Sequence, residues 1–542
     1  MTDERTGSDY VLDALTAEGV DRLFGLIGEG NADLLDSTHE HDVPFHYARH
    51  EQAAVSMADG YARTTGSVGV CTLTHGPGLT NGATGIAIAD RDDVPLVVLV
   101  GDTDSEGRET SLQYLEHLDF TEPISVAGMR AETVGRLPEI LRRAFDTART
   151  RSGPVVVELP GDVQSAAAPT EPYRPRERPP QRVGPDPDLL DEAVDVLRSA
   201  ERPVVLAGGG AAASGAADTV EALAERLGAP IVTTFYAVGL FDADHPLYAG
   251  IGGTFMTPAA ADFLPDADAV VALGARLSGK TTRYGALYDD ADVVQVDINE
   301  ERLGTHRDPT VGIVGDARAT AAALVERLPG APEGRVERVR ERIAAAGDPP
   351  LGDDAAPGTV DPRNLTAAIA DRLPGDEVVT VDSGNNTGFP PVYHPVDAGG
   401  RMLVNGNFGT MGYALPAALG ASIADRERPV VCYIGDGAFM MMLQEVETAV
   451  RLDLPILLVV YNDESYGIIR HRQGLEKGRT TAAEYDSPDF AAVARGLGAD
   501  AVTVRSLADF EAVDADVAAL DGPLVVDART DPDVSRPGFP PY

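Results

Sequence analysis

GDGAFMMMLQEVETAVRLDLPILLVVYND, residues 435–463, follows the apolar run PVVCYI (429–434) and encloses another, PILLVV (455–460). Each run is short, continuous and rich in β-branched residues, the pattern of a strand buried on both faces. Between them Phe439 to Arg451 carries Leu443, Val446 and Val450 at spacings of three and four, which makes one apolar helical stripe. The segment is therefore read as strand, helix, strand. A right-handed crossover makes the two strands parallel, so their carboxyl ends emerge at one edge of the sheet, where open α/β folds bind ligands. Asp436 and the Asn462-Asp463 pair then face one crevice. Two oxygen-bearing side chains and a loop carbonyl supply half the octahedral shell of a hard cation such as Mg²⁺, which is completed by water and phosphate oxygens. Gly435 and Gly437 let backbone approach those phosphates, and the helix start offers amides and a dipole.

The same alternation recurs along the chain. Residues 1–167 place RLFGLI, VGVCTL, PLVVLVG and PVVVELP between helical segments. Residues 189–328 do so with PVVLAGGG, PIVTT, AVVALG and VVQVDI, and residues 361–542 with EVVTVDSG, PVVCYIGDG, PILLVVYND and PLVVDA. Two Pro-, Arg- and Gly-rich stretches, 168–188 and 329–360, read as linkers, the second holding a short helical piece. The predicted fold class is α/β, with three consecutive doubly wound parallel-sheet domains. A length of 542 residues suits about three cores.

A net charge of −42 arises from 86 acidic and 44 basic residues, and only Lys280 and Lys477 among the basic ones are lysines. Such acidity excludes nucleic acid and anionic membranes as partners and reads as a halophilic surface, solvated in concentrated salt. Cys71 and Cys432 sit in strand-like runs and are expected to be buried thiols of a reducing, cytoplasmic protein. No basic-then-apolar leader and no apolar stretch of ~20 residues is visible.

GDG followed by Asn-Asn or Asn-Asp is the signature of thiamine diphosphate enzymes. The context GDGAFMMMLQEVETAV…PILLVVYNDESYG resembles the acetolactate synthase large subunit and benzoylformate decarboxylase group. The resemblance implies thiamine diphosphate and Mg²⁺ as cofactors, with a Rossmann-like middle domain between two thiamine diphosphate-binding ones. Its metal ligands here are Asp436, Asp463 and the carbonyl of Ser465, with Asn462 the alternative to Asp463 because most members carry Asn at that position. Gly435, Gly437, Ala438, Tyr466 and Gly467 surround the cofactor. ARHEQAAVSMADGYAR (48–63) resembles the family's RHEQ…A…DGYAR segment, which makes Glu51 the carboxylate that activates the cofactor. GNFGTMGYALPAALGA (406–421) resembles the cofactor-bending loop, with Met411 as the wedge and Gly409 offering its carbonyl to the pyrimidine amine.

In the same comparison DSGNNTG (382–388) is the loop whose Asn385 or Asn386 touches the diphosphate, and THGPGLTN (74–81) is the loop over the reactive carbon. There His75 replaces the usual Ser and is a candidate for substrate contact or proton transfer. AGGGAAASGA (207–216), GIGGTF (250–255) and GARLSGK (274–280) occupy places that hold FAD in acetolactate synthases. Leu277-Ser278-Gly279-Lys280 departs from the usual GARFDDR and leaves FAD open. The implied activity is decarboxylation of pyruvate or a related 2-oxo acid and carboligation to a second carbonyl. Its alternatives are a non-ligating 2-oxo acid decarboxylase, a hydroxy-ketone lyase, or an inactive cofactor-binding homologue. The resemblance also implies a homodimer or homotetramer with active sites between subunits.

Overall fold

The computed structural model describes residues 5–176, 182–353, 355–513 and 519–539, so residues 177–181 of the first expected linker and 354 of the second lie outside the described residues. Its strands form three six-stranded sheets, and within each sheet neighbours pair in parallel. The first sheet contains β1 (Leu23–Gly25), β2 (Phe45–Tyr47), β3 (Gly69–Leu73), β4 (Leu96–Asp102), β5 (Ala127–Arg130) and β6 (Pro154–Pro160), in the order β2-β1-β3-β4-β6-β5. The second contains β7 (Pro203–Ala207), β8 (Ile231–Thr233), β9 (Tyr248–Ile251), β10 (Ala269–Leu273), β11 (Asp292–Asp297) and β12 (Val311–Val314), in the order β12-β11-β10-β7-β8-β9. The third contains β13 (Val378–Val381), β14 (Arg401–Val404), β15 (Val430–Gly435), β16 (Ile456–Asn462), β17 (Asp500–Val504) and β18 (Leu524–Arg529), in the order β14-β13-β15-β16-β18-β17. The outer two lobes thus share one strand order, whereas the middle lobe has the Rossmann order.

The central strands β3, β4, β6, β7, β10 and β16 are buried at every residue, as continuous apolar runs covered on both faces require. β15 pairs with β16 from Val430 opposite Ile456 to Gly435 opposite Tyr461, so the two strands of the opening segment end level. The helix expected between them is in fact two, Asp436–Met442 and Glu445–Arg451. At the break Val446 and Glu447 donate to Leu443 and Gln444 three residues back, a tightened turn. The bend seats the buried Glu445 carboxylate beneath the Arg49 amide, 3.1 Å away, and against the Thr448 hydroxyl at 2.7 Å. The second expected linker contains the helix Arg335–Ala346, which packs onto the middle lobe through Val339.

The first and third lobes share a core where helix Glu51–Thr65 crosses helix Ala414–Ala424. The crossing is backbone-close on both sides. A Cβ on Gly60 would lie 2.2 Å from the Ala417 carbonyl oxygen, and one on Gly420 would lie 2.0 Å from that of Met57. Gly60→Ala is expected to lower stability by roughly 1–3 kcal/mol, because the helices must part to admit the methyl; a denaturant midpoint equal to that of the parent protein would contradict this packing. Cys71 and Cys432 are both buried and free, and burial pushes each thiol well up, as expected for inert core cysteines. Among the described residues no helix is long and apolar enough to cross a membrane.

Candidate active site

In the third sheet the connections reverse direction between β13 and β15, and the crevice lies where the carboxyl ends of those strands diverge. Two loops line it. Asp382–Gly388 leaves β13, and Gly435 caps the helix that begins at Asp436. Asn386 reaches across, its Oδ1 placed 3.2 Å from where a Gly435 Cβ would stand. Asn385 is engaged differently: its Nδ2 donates to Val534 O at 2.9 Å and its Oδ1 accepts from Arg536 N at 2.9 Å. The C-terminal segment therefore pins Asn385 beside the crevice.

Asp436 is buried and accepts hydrogen bonds from Gly437 N (2.8 Å), Tyr485 Oη (3.0 Å) and Ser487 Oγ (3.1 Å). Asp463 accepts from Ser465 N and Oγ, both at 3.0 Å. Burial pushes the Asp436 carboxyl up to about 6; burial and then the negative charge of Asp436 push Asp463 up to about 7. Among the described residues neither carboxylate has an Arg or Lys ion-pair partner. A buried and a half-buried carboxylate that repel each other, with no ion-pair partner among the described residues, are the donor set a divalent ion satisfies. Asn462 is oriented toward the neighbouring strand through its amide nitrogen, while its Oδ1 has no hydrogen-bond partner among the described residues. Its Nδ2 donates 2.8 Å to Asp527 Oδ1 on that strand, β18. Gly467 and Tyr466 border the pair: a Gly467 Cβ would stand 2.5 Å from Asp463 Oδ2, and a Gly437 Cβ 2.7 Å from the Tyr466 ring. Ala438 is buried one residue further into the helix.

The loop expected to shape the cofactor leaves β14 and enters helix Ala414–Ala424. Met411 is partly buried against the core shared by the two lobes, and Gly409, at φ 73°, turns the chain in the left-handed region. Asp382 anchors the end of this loop, accepting from Gly412 N at 3.0 Å and Ala414 N at 2.8 Å.

Glu51 and His75 occupy the equivalent switch point of the first sheet, between β1 and β3. Glu51 opens its helix 9% exposed, and its Oε2 accepts 3.1 Å from Asn81 Nδ2 of helix Pro77–Arg91. His75 is 2% exposed, its Nδ1 has no hydrogen-bond partner among the described residues, and burial lowers its pKa, keeping it neutral near pH 7. Its loop is held from below: Gly76 N donates 3.0 Å to His117 Nε2, and His117 Nδ1 lies 2.9 Å from Glu158. Asp102, His117 and Glu158 converge closely enough to hold a metal. Arg108 and Arg130 already pair with both carboxylates at 2.6–3.0 Å, so that charge is balanced without one. Within the chain Glu51 shares no hydrogen bond or ion pair with Asp436 or Asp463 among the described residues.

Tyr485, Ser487, Asp382, Asn81 and His117 were not selected from the sequence. Tyr485 and Ser487 return to Asp436 from a distant loop and carry no local motif. Asp382 was legible as a strand-end carboxylate, yet it serves the loop of Met411 and not the diphosphate loop alone.

The middle lobe carries the Gly-rich loops that the resemblance associates with FAD. At its switch point a Cβ on Gly208 would be 2.2 Å from Gly274 O, so the two Gly-rich loops close directly on each other. Arg276 turns to the first lobe, bonding Arg91 O at 2.6 Å and pairing with Asp93.

Residues 5–122, 190–324 and 382–528 match, respectively, the N-terminal TPP binding domain, the central domain and the C-terminal TPP binding domain of thiamine pyrophosphate enzymes. The chain belongs to the thiamine pyrophosphate enzyme family. It is 32% identical to a probable acetolactate synthase large subunit of Methanocaldococcus jannaschii, over 99% of this chain and 93% of that one. It is also 32% identical to the acetolactate synthase isozyme 3 large subunit of Escherichia coli, over 91% and 88% of the two chains. A sulfoacetaldehyde acetyltransferase of Castellaniella defragrans is 32% identical over 93% and 89%. The three parallel sheets are thus those of a thiamine diphosphate-binding enzyme.

Proposed function

We propose that the protein decarboxylates pyruvate or a related small 2-oxo acid and ligates the acyl unit to a second carbonyl, using thiamine diphosphate and Mg²⁺. The observation that carries this reading is the pair of mutually repelling carboxylates, buried Asp436 and half-buried Asp463, without an ion-pair partner among the described residues at the switch point of the third sheet. These two carboxylates and the Ser465 carbonyl would hold the metal. Tyr485 and Ser487 fix Asp436, and Asn386 with the Gly435–Ala438 turn would receive the diphosphate. When bound, thiamine diphosphate supplies the electron sink that loss of CO₂ requires and that no side chain offers.

Glu51 would hold a proton for exchange with the pyrimidine ring of a bound cofactor, its carboxylate oriented by Asn81. Met411 and Gly409 set the cofactor's shape. His75, whose pKa burial lowers, is suited to accept or return a proton at the substrate through its other ring nitrogen, since Nδ1 is buried against Gly30. Glu51 and the metal pair lie in separate crevices of one chain, so a complete site uses two copies. Exposed apolar side chains around both crevices, Ile27, Leu112 and Phe408 on loops and Met440 and Met441 on helix Asp436–Met442, support a homodimer or larger homo-oligomer. The acidic, two-lysine composition supports a cytoplasm rich in salt.

The test is incubation in molar salt with thiamine diphosphate, Mg²⁺ and a panel of 2-oxo acids, with and without an aldehyde or second oxo acid. Acetohydroxy acid or hydroxy ketone is expected. Aldehyde alone under both conditions would reassign the protein as a decarboxylase, and absence of CO₂ throughout would overturn the reading.

Metal binding must ionise both aspartates, so Mg²⁺ affinity is expected to fall as pH drops below about 7, with protons released on binding. In the metal-free protein the sign is opposite. Between about pH 4 and 7 the folded carboxyls retain protons that the unfolded chain has lost, so stability declines as pH rises. Calorimetry should therefore show Mg²⁺ with thiamine diphosphate raising Tm more at pH 8 than at pH 5.5.

A further inference from the structure

The loop that carries Met411 is fixed at its ends by its own lobe and in its middle by the other two. Asn405 is tied by Ser383 Oγ at 2.8 Å, and Gly412 by Asp382. Between these anchors, Gly406 O accepts from Lys280 Nζ of the middle lobe at 2.8 Å. Asn407 donates through its backbone N (3.2 Å) and its Nδ2 (2.8 Å) to Asp92 Oδ1 of the first lobe. Tyr236 of the middle lobe donates 2.9 Å to the same oxygen and stands so close that a Cβ on Gly406 would be 2.6 Å from its hydroxyl. The other oxygen of Asp92 pairs with Arg63 at 3.0 Å, and Arg63 also bonds Val404 O, the residue before the loop.

Lys280 is one of two lysines in a chain otherwise supplied with arginine, and it is largely buried. Burial, and then the charge of Arg536, depress its pKa. Among the described residues its ammonium makes one hydrogen bond, to Gly406 O, and no ion pair. A buried ammonium so sparsely compensated costs stability that an apolar side chain of the same length would not. Its single contact falls on the loop that leads to Met411.

We propose that Lys280, with Asp92, is a positioning residue for the reaction: from outside the third lobe the two fix the height of residues 406–409 and so how far Met411 projects toward the cofactor. This rests on the assignment of Met411 to the cofactor under Proposed function. The middle lobe thereby acts on cofactor activation through a lysine that touches neither the cofactor's thiamine nor the substrate.

The test uses the holoenzyme with thiamine diphosphate and Mg²⁺ and compares Lys280→Met, Asn407→Ala and Met411→Ala with the parent. The readouts are exchange of the cofactor's C2 hydrogen with D₂O, the cofactor Kd and Tm. A displaced wedge is expected to slow exchange ~10-fold or more in Lys280→Met, and in the same direction in Asn407→Ala, while Kd changes less than ~3-fold. Asn407 is a loop residue whose truncation leaves the lobes packed, so a folding failure of Lys280→Met leaves the second variant to decide. Parental exchange rates in the decisive variants, with Met411→Ala slowed, would overturn the proposal alone. Parental exchange in Met411→Ala would overturn the assignment of Met411 and the proposal with it. Loss of cofactor binding in step with Tm would also overturn the proposal, since that is what a merely structural lysine gives.

Discussion

Asp436→Ala is expected to lose bound thiamine diphosphate altogether at cofactor concentrations that saturate the parent protein. The substitution removes one of the two carboxylates that face each other across the carboxyl ends of β15 and β16, and it strands the hydroxyls of Tyr485 and Ser487. Because the metal joins the diphosphate to the protein, loss of a ligand weakens Mg²⁺ and cofactor together, by at least ~100-fold. Folding should survive. Asp436 is a buried charge without a cation, and relief of its repulsion with Asp463 offsets the lost hydrogen bonds in the metal-free state. The check is isothermal titration of Mg²⁺ with thiamine diphosphate, alongside Tm without cofactor. Retained binding would show that the diphosphate is held elsewhere.

Glu51→Gln should do the reverse, leaving cofactor affinity within a few-fold and removing turnover by roughly 10²–10⁴-fold, the usual range for a lost acid-base group. Glutamine keeps the side-chain length and an oxygen that can accept from Asn81 Nδ2. It cannot take up and return a proton. A near-normal kcat in this variant would detach Glu51 from the chemistry, whatever the fate of the metal site. The two variants therefore separate holding the cofactor from activating it.

The strand-helix-strand reading of residues 429–463 was legible because buried parallel strands are written as unbroken apolar runs, and crossover handedness then brings Asp436 and Asp463 to one edge. Several details were not. The choice between Asn462 and Asp463 depends on how each side chain is partnered, and the partner of the Asn462 amide nitrogen, Asp527, lies on a strand 65 residues away. The single helix expected over Phe439–Arg451 breaks because buried Glu445 serves Arg49 of another lobe, a demand with no local trace. His75 was legible as unusual, yet its support by His117 and Glu158 appears only when β3, β6 and the helix His117–Thr121 are packed together. The roles of Lys280 and Asp92 were hidden for the same reason: Lys280 stood out only as a departure within a Gly-rich stretch, and its meaning lies in a loop 126 residues further on.

Helix Glu51–Thr65 links β2 to β3, and helix Ala414–Ala424 links β14 to β15, so the crossing elements hold the same place in two identical plans. Their contacts are reciprocal: Gly60 faces Ala417 while Gly420 faces Met57, with an offset of three residues in each. An approximate dyad therefore relates the two crossing helices within a single polypeptide, although the whole middle lobe separates them along the chain. Across that pseudo-symmetric pair the acidic side chains differ, with Glu51 on one lobe and Asp436 and Asp463 on the other.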